Sequence, residues 1–322
     1  MPFRCLLFLL PIVALATVLT TAPAQAEYPA TDMTEQEDDT VGMTTWNAFV
    51  LGAVEGFTEY LPVSSTGHLI LAQRAMGIGQ TEREKVAADA YAIAIQAGAI
   101  LAVLTLYFPY MRRMIRGVFG RDPGGLKLAI NIGIAFLPAA VIGLLFHELI
   151  KAYLFNLWAI VFSWFVGGLV ILLITRLKWD DPNRVGRLLE ELTWKHALII
   201  GFMQCIAMWP GTSRSLVTII GGLLVGLNLT SAVIFSFLLG VVTLTAATVY
   251  DTVTHGTIML NEFGFMNIFI GFTVATIAAI ISVKWFLSYL KRHGLALFGY
   301  YRIALAVVVT ILILRGVLID QL

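Results

Sequence analysis

The sequence predicts an all-α polytopic membrane protein with six transmembrane helices and two re-entrant helix hairpins, arranged as an inverted-topology repeat. Three observations support this prediction: the apolar composition, the lengths of the apolar segments, and two proline-broken segments at corresponding places. Of the 322 residues, 59% are hydrophobic and 13% are charged, whereas soluble domains average roughly 45–50% and about 25%. The net charge of +1 gives no reason to expect a nucleic-acid partner. Cys5 and Cys205 are too few for a disulfide framework or a cysteine-based metal site.

Residues 1–26 have the pattern of a secretory signal peptide. Arg4 precedes an apolar stretch, and Ala24-Gln25-Ala26 fits the small-x-small cleavage pattern. The alternative is an uncleaved N-terminal membrane helix. In either case residues 27–43 form a short acidic tail on the periplasmic side, and residues 44–319 form a single membrane domain that begins near the outer face.

Two kinds of apolar segment follow in that domain. A membrane-spanning helix needs roughly 20 residues, and six segments reach this length, at about 87–108, 128–147, 157–176, 229–250, 265–289 and 300–318. The other segments are shorter and come in pairs, 45–60 with 65–76 around Pro62 and 195–208 with 213–225 around Pro210. Because proline ends each first helix, we expect two hairpins that enter the membrane and return on the same side.

The order of these segments predicts the inverted repeat. Each hairpin is followed by three spans, and three is odd, so the second half begins on the opposite face from the first. Repeat 1 covers about residues 44–177 and repeat 2 about residues 195–319.

The distribution of basic residues gives an independent test of this topology. With residue 44 outside, the loops at 109–127, 177–195 and 290–299 are cytoplasmic. The basic residues in and beside them are Arg112, Arg113, Arg116, Arg121, Lys127, Arg176, Lys178, Arg184, Arg187, Lys195, Lys284, Lys291, Arg292 and Arg302. The opposite face has Arg74, Arg83, Lys85, Lys151 and Arg315, and its 251–264 loop has none. This asymmetry is the positive-inside pattern.

The first hairpin contains carboxylates in an apolar segment. Glu55 and Glu59 are four residues apart and share one helix face. Such groups are costly within a membrane and need a partner, which could be a divalent cation, a shared proton or an arginine.

Hydroxyl groups and a histidine follow the two glutamates. Ser64, Ser65 and Thr66 stand where the second short helix begins, where hydroxyls cap the helix and its free N–H groups can hold an anion. His68 lies three residues after Ser65, on the same face. Capping and a structural histidine are the simpler alternatives to a catalytic role.

The second hairpin contains Arg214, the only arginine or lysine between Lys195 and Lys284. Its guanidinium must face a carboxylate or an anionic ligand, and a structural ion pair with Glu55 or Glu59 is the alternative to ligand binding. The hydroxyl groups around this helix start belong to Ser213, Ser215 and Thr218.

Opposed hairpins would bring these carboxylates, hydroxyls and the arginine together. A base or metal site facing an anion-binding arginine suits phosphoryl transfer. A transporter or flippase for a polyprenyl phosphate is the competing hypothesis, because inverted repeats with broken helices are also a transporter architecture.

Two motifs carry a family resemblance. The run from Glu55 to His68 (EGFTEYLPVSSTGH) closely resembles the first signature of the BacA-type undecaprenyl-diphosphate phosphatases, and Pro210 to Thr218 (PGTSRSLVT) resembles the second. The likeness extends over about residues 44–319. It implies a multi-pass enzyme of the bacterial cytoplasmic (inner) membrane with its active site facing the periplasm. The implied reaction is hydrolysis of undecaprenyl diphosphate to the monophosphate carrier used in cell-wall synthesis, which confers bacitracin resistance.

The resemblance also assigns roles to residues. The catalytic set is Glu55, Glu59, Ser65, His68 and Arg214. The substrate-binding set is Ser64, Thr66, Ser213, Arg214, Ser215 and Thr218. A divalent cation, Mg²⁺ or Ca²⁺, is implied at Glu55 and Glu59. Ser65, His68 or water remains open as the nucleophile, and dimer formation is open as well. Leu216-Val217 departs from the Gly-Ala common in the family, which puts the preferred chain length in doubt.

Overall fold

The computed structural model describes residues 43–318, and these residues are almost entirely helical. The ten α-helices of this range are α1 Thr45–Thr58, α2 Ser65–Ala75, α3 Glu82–Leu106, α4 Phe108–Val118, α5 Pro123–Leu154, α6 Leu157–Arg176, α7 Trp194–Cys205, α8 Arg214–Leu224, α9 Leu229–His293 and α10 Ala296–Leu314. The predicted signal peptide, and all of the predicted acidic tail except Met43, lie outside the described residues.

Five of these helices, α3, α5, α6, α9 and α10, are long and apolar enough to cross a membrane. The helix α9 has 65 residues and would measure about 100 Å if it were straight, far more than the roughly 30 Å of a hydrocarbon core. It breaks at Gly264, whose backbone is non-helical (φ 71°, ψ 154°). The segments predicted at 229–250 and 265–289 are therefore both part of α9, and the chain is a helical, multi-pass membrane protein.

The prediction of a loop at 251–264 is wrong for the residues before Gly264, because α9 continues as a helix up to its break at that glycine. This stretch contains no proline, and two of its apolar side chains pack against the rest of the fold. Met259 and Phe263 are buried, and the Phe263 ring packs edge-on against Tyr91 at 5.8 Å between centroids. The expected loop at 109–127 likewise contains the short helix α4.

The two predicted pairs of short helices are confirmed to within two or three residues. The pairs are α1 with α2 and α7 with α8, and we call them the first and second hairpin. Ser64 and Ser213, the residues just before the second helix of each pair, have nearly identical left-handed torsions (φ 74°, ψ 102° and φ 76°, ψ 112°). Each also caps its helix, Ser64 Oγ accepting from Gly67 N at 3.5 Å and Ser213 Oγ from Leu216 N at 3.3 Å.

The first helix of each hairpin packs on a neighbouring helix through a glycine. A Cβ atom at Gly52 would lie 2.5 Å from the Gly271 carbonyl oxygen in α9, and one at Gly201 would lie 2.5 Å from the Ala135 carbonyl oxygen in α5. Real side chains do not approach this closely, so both sites need glycine. This close packing brings the polar residues that follow each glycine into the interior.

Candidate active site

The tips of the two hairpins touch each other. Ser215 Oγ donates to the Leu61 carbonyl at 2.8 Å, and Ser213 Oγ lies 3.4 Å from the same oxygen. The helix α6 supports both tips, since Trp164 Nε1 donates to the Val63 carbonyl at 3.0 Å and Ser163 Oγ to the Pro210 carbonyl at 2.8 Å. The structure thus confirms that the two hairpins converge.

A buried arginine from α10 joins the two tips. Arg302 is fully buried, and its guanidinium donates to the carbonyls of Pro62 at 3.3 Å and Gly211 at 2.9 Å, one from each tip. It also donates to Ser163 and Trp164 of α6 at 2.8 and 3.3 Å. Arg302, counted above among the basic residues beside a cytoplasmic loop, therefore uses its charge inside the fold.

Glu59 lies at the centre of the polar groups. Its Oε1 accepts from Arg214 Nη2 at 2.9 Å, and its Oε2 accepts from Ser65 Oγ at 2.5 Å. The two side chains of the ion pair are only 6% and 9% exposed. A carboxylate and a hydroxyl of the first hairpin therefore meet the arginine of the second, as predicted for these three residues. The Glu59–Arg214 ion pair, which was considered as an alternative to ligand binding, is also present.

Arg214 keeps donor capacity beyond this ion pair. Its Nη1 donates to the Ser236 carbonyl at 3.2 Å, and the Tyr60 ring lies 5.6 Å from its guanidinium carbon. Its buried Nε has no hydrogen-bond partner among the described side chains and backbone of the chain. A guanidinium has five N–H donors, so this arginine can pair with Glu59 and still bind an anion.

Glu55 is buried without hydrogen bonds. The residue is fully shielded from solvent, and neither carboxylate oxygen has a hydrogen-bond partner in the described part of the chain. Unpaired carboxylate oxygens next to a second acidic group suit a cation. Within the described range no group of three or more His, Cys, Asp or Glu residues is placed to hold a metal ion. Magnesium, however, commonly uses one or two carboxylates with substrate phosphate oxygens. The two glutamates meet this ligand number, and of the two Glu59 lines the cavity described below.

His68 does not contact Ser65 through a hydrogen bond in the structure. Its Nδ1 lies 2.6 Å from the Ser64 carbonyl and its Nε2 lies 2.8 Å from the Tyr301 hydroxyl. Because a carbonyl only accepts, Nδ1 carries the proton and Nε2 accepts from Tyr301. The imidazole also packs edge-on against Trp164. The imidazole is thus held by the Ser64 carbonyl and the Tyr301 hydroxyl. Its catalytic role stays a prediction.

The remaining hydroxyl groups either stabilise the hairpins or line the cavity. Thr218 Oγ1 donates to the Arg214 carbonyl at 2.8 Å and lies 2.6 Å from Ser236 Oγ, so it braces the start of α8. Ser215 is completely buried and joins the tips. Thr66, by contrast, lines the cavity described next.

A cavity of about 560 Å³ opens beside the ion pair. Its polar lining comprises Glu59, Ser64, Ser65, Thr66, Gln96, Gln204, Ser213, Arg214 and Thr243. Its apolar lining comes from three regions, represented by Phe136 and Leu144 of α5, Met208 before the second tip, and Leu244 and Ala247 of α9. A site with one polar and one apolar side suits a ligand with an anionic head and an apolar tail.

Sequence reasoning missed several of the polar residues that build this site. Arg302, Gln204 and Tyr301 all lie in apolar segments, and a polar side chain in such a segment is itself a signal of function or of structural support. Gln204 stands three residues after Gly201, as Glu55 stands three residues after Gly52, and this correspondence is the signal that could have identified it. None of these three has a neighbour in sequence that reveals its tertiary partner.

Comparison with known proteins agrees with the geometry. Residues 48–308 match the family described as "Bacitracin resistance protein BacA". A protein of Sorangium cellulosum named "Undecaprenyl-diphosphatase" is 44% identical over 268 residues, which cover 83% of this chain and 86% of that protein. "Undecaprenyl-diphosphatase 2" of Rhodospirillum rubrum is 44% identical over 263 residues, or 81% and 92% of the two chains. With matches of this extent, the chain belongs to the BacA family.

Proposed function

We propose that this protein is an undecaprenyl-diphosphatase, a membrane hydrolase that converts undecaprenyl diphosphate to undecaprenyl phosphate. The main structural support is Glu59, which accepts hydrogen bonds from Ser65 at 2.5 Å and Arg214 at 2.9 Å at the wall of an amphipathic cavity. A base, a hydroxyl nucleophile and an anion-binding cation are thereby adjacent. The same activity is named for the relatives, and members of this family are associated with bacitracin resistance.

The arrangement suggests the order of chemical steps. Arg214 and the free N–H groups at the starts of α2 and α8 hold the diphosphate. Ser65 Oγ attacks the terminal phosphorus while Glu59 Oε2 accepts its proton. The bond between this phosphorus and the bridging oxygen breaks, and undecaprenyl phosphate leaves. Water then attacks the phosphoserine, releasing phosphate and restoring the Ser65 hydroxyl.

We propose that Glu55 and Glu59 also hold a divalent cation, Mg²⁺ or Ca²⁺. The unpaired oxygens of Glu55 support this assignment. When bound, the cation would neutralise charge on the diphosphate. The proton transfer from Ser65 to Glu59 and the grip of Arg214 on the anion belong to the protein itself.

We further propose an inverted repeat in the bacterial inner membrane, with six spans and the cavity facing the periplasm. The matched torsions of Ser64 and Ser213 and the glycine contacts at Gly52 and Gly201 support the internal repeat. The break of α9 at Gly264 supports counting that helix as two spans. The excess of basic residues on one face supports the orientation.

Phosphate release from undecaprenyl diphosphate by protein purified in detergent tests the activity. Detergent micelles have no second compartment, so release excludes a pure transporter, which would give none. Ser65→Ala should reduce release by about 100-fold or more if serine is the nucleophile. A phosphoenzyme mapped to Ser65 would support the same step, whereas hydrolysis that persists at the wild-type rate in Ser65→Ala would eliminate it.

The role of His68 requires a separate comparison. Because His68 contacts Ser64 and Tyr301 and makes no hydrogen bond to Ser65, we expect Tyr301→Phe and His68→Gln to reduce kcat less than Glu59→Gln does. A larger loss in His68→Gln than in Glu59→Gln, at equal thermal stability, would assign the proton transfer to the histidine instead.

A further inference from the structure

The second hairpin contains a buried amide that the proposed chemistry does not use. Gln204 in α7 is only 2% exposed and lines the cavity together with Ser65 and Arg214. Its Nε2 has no hydrogen-bond partner among the residues whose side chains the structure describes. Leaving a buried donor unsatisfied destabilises the fold, so an unpaired amide at a cavity wall indicates a site that a ligand completes.

The orientation of this amide is set from α9. Thr243 Oγ1 lies 3.2 Å from Gln204 Oε1 and 3.0 Å from the Leu239 carbonyl, so its hydroxyl hydrogen is shared between these two acceptors. Thr243 also lines the cavity. With Oε1 facing Thr243, the amide nitrogen is left as the free group of the side chain.

The position of Gln204 in the second hairpin, compared with that of Glu55 in the first, indicates which kind of group its amide nitrogen binds. Gln204 stands three residues after Gly201, just as Glu55 stands three residues after Gly52, and both glycines pack against the backbone of a neighbouring helix. The two side chains have nearly the same shape, but a carboxylate only accepts hydrogen bonds whereas an amide NH₂ donates. The acceptor is on the hairpin with two glutamates, and the donor is on the hairpin with Arg214.

We infer that Gln204 is a substrate-binding residue whose Nε2 donates a hydrogen bond to a non-bridging oxygen of the diphosphate, with Thr243 as its positioning residue. This inference rests on the proposed hydrolase function. Gln204 and Arg214 together hold the anion with one neutral and one charged donor. The neutral donor adds binding without a second buried cation, which would itself be costly.

Steady-state hydrolysis of undecaprenyl diphosphate in detergent tests the inference with a pair of substitutions. Gln204→Met removes the donor at nearly constant volume, and we expect kcat/KM to fall about 10-fold or more, as for loss of a hydrogen bond to a charged group. Gln204→Glu places a carboxylate against the phosphate oxygens and should cost more, about 100-fold. If Gln204→Glu retains more activity than Gln204→Met, the side chain accepts hydrogen bonds or binds a cation, and the inference is wrong.

Gln73 provides a matched control. It is a buried glutamine whose Nε2 already donates to the Ala88 carbonyl at 3.0 Å, and it is outside the cavity lining. Gln73→Met should leave kcat/KM within about twofold of the wild type. A wild type that releases no phosphate would refute the proposed function, whereas an active wild type with unchanged Gln204 variants would refute only the role of Gln204.

Thr243→Val tests the positioning role first in the otherwise wild-type protein, where Gln204 itself is unchanged. Valine preserves the shape of threonine but removes the hydroxyl that orients Oε1. We expect a decrease of several-fold in kcat/KM in the wild type and no further decrease in the Gln204→Met background, because the two residues act through one hydrogen bond. An unchanged kcat/KM in Thr243→Val, or equal losses in both backgrounds, would overturn the positioning role.

Discussion

The two hairpins share a backbone design but differ in chemistry. Each has a glycine that packs against a neighbouring helix, a proline at the tip, and a serine with φ near +75° that caps the second helix. The first hairpin carries Glu55 and Glu59, whereas the second carries Gln204 and Arg214. The carboxylates of the first hairpin accept hydrogen bonds, whereas the amide nitrogen and the guanidinium of the second hairpin donate them.

This difference shows how two similar hairpins can together form a phosphatase site. Two identical acidic hairpins would repel each other and the anionic substrate, and two identical basic hairpins would hold an anion but offer no base. With opposite charges, the hairpins attract each other through the Glu59–Arg214 pair at 2.9 Å. In the proposed mechanism, the substrate therefore meets a base on one side and anion-binding donors on the other.

The largest expected effect comes from removing the charge of the second hairpin. Arg214→Ala should lower phosphate release by about 10²–10³-fold or more, since it removes a preorganised cation at the reacting phosphate. It also leaves Glu59 unpaired, and breaking a buried ion pair costs about 3–5 kcal/mol of stability. Phosphate release and thermal unfolding in detergent measure the two effects.

The double variant sharpens this comparison. Adding Glu59→Gln to Arg214→Ala should recover part of the stability, because position 59 then no longer carries a buried charge that has lost its partner, but it should recover no activity. If both single variants retain full activity, the proposed site is refuted.

The next largest effect concerns the connection between the hairpin tips. Arg302→Met should lower the free energy of unfolding by about 2–6 kcal/mol, because the carbonyls of Pro62 and Gly211 lose their donor and each buried unsatisfied acceptor costs about 1–3 kcal/mol. Unfolding followed by circular dichroism in detergent measures this change. Arg302→Lys keeps the charge but cannot reach both tips at once, so we expect an intermediate loss. An unchanged melting temperature in both variants would contradict the linking role.

A smaller effect tests the symmetry of the packing. Gly52→Ala and Gly201→Ala should each destabilise the protein by about 1–3 kcal/mol, since each new methyl group would overlap a backbone carbonyl of a neighbouring helix. Gly133→Ala in α5 is the matched control, because a Cβ at that glycine has no atom within 4 Å. A clear loss at only one of the two sites would show that the hairpins are packed differently.

The smallest expected effect comes from Asp122, which lies outside both hairpins and serves as a reference. Asp122 caps α5 by accepting from Gly125 N at 2.8 Å, and this bond, with a smaller contribution from Arg113, lowers the pKa of the carboxyl below its usual 3.8. The ionised form therefore stabilises the fold above that pH, and the stabilisation disappears as the pH falls through the lowered pKa. Asp122→Asn should lower the melting temperature slightly at neutral pH and leave it unchanged at strongly acidic pH. A difference that persists in acid would show that the charge of Asp122 is not its cause.

Local sequence signals determined much of the fold. Apolar length predicted the helix 157–176, which the structure forms at Leu157–Arg176. Pro62 and Pro210 predicted the two tips, because proline cannot continue a helix and its effect on the backbone needs no tertiary context. The run EGFTEYLPVSSTGH also determined the family, and with it the expected reaction.

Only the tertiary structure decided which polar groups meet. The sequence placed His68 on the same helix face as Ser65, yet in the folded chain Ser65 donates to Glu59 and His68 contacts Tyr301. It also placed Arg302 near a cytoplasmic loop, although the guanidinium joins both tips. A buried charge must find its partner wherever the packing of distant helices puts one, and that packing depends on contacts between residues more than 100 positions apart. Local periodicity therefore predicts where the helices lie in the chain but not which of their polar side chains will pair.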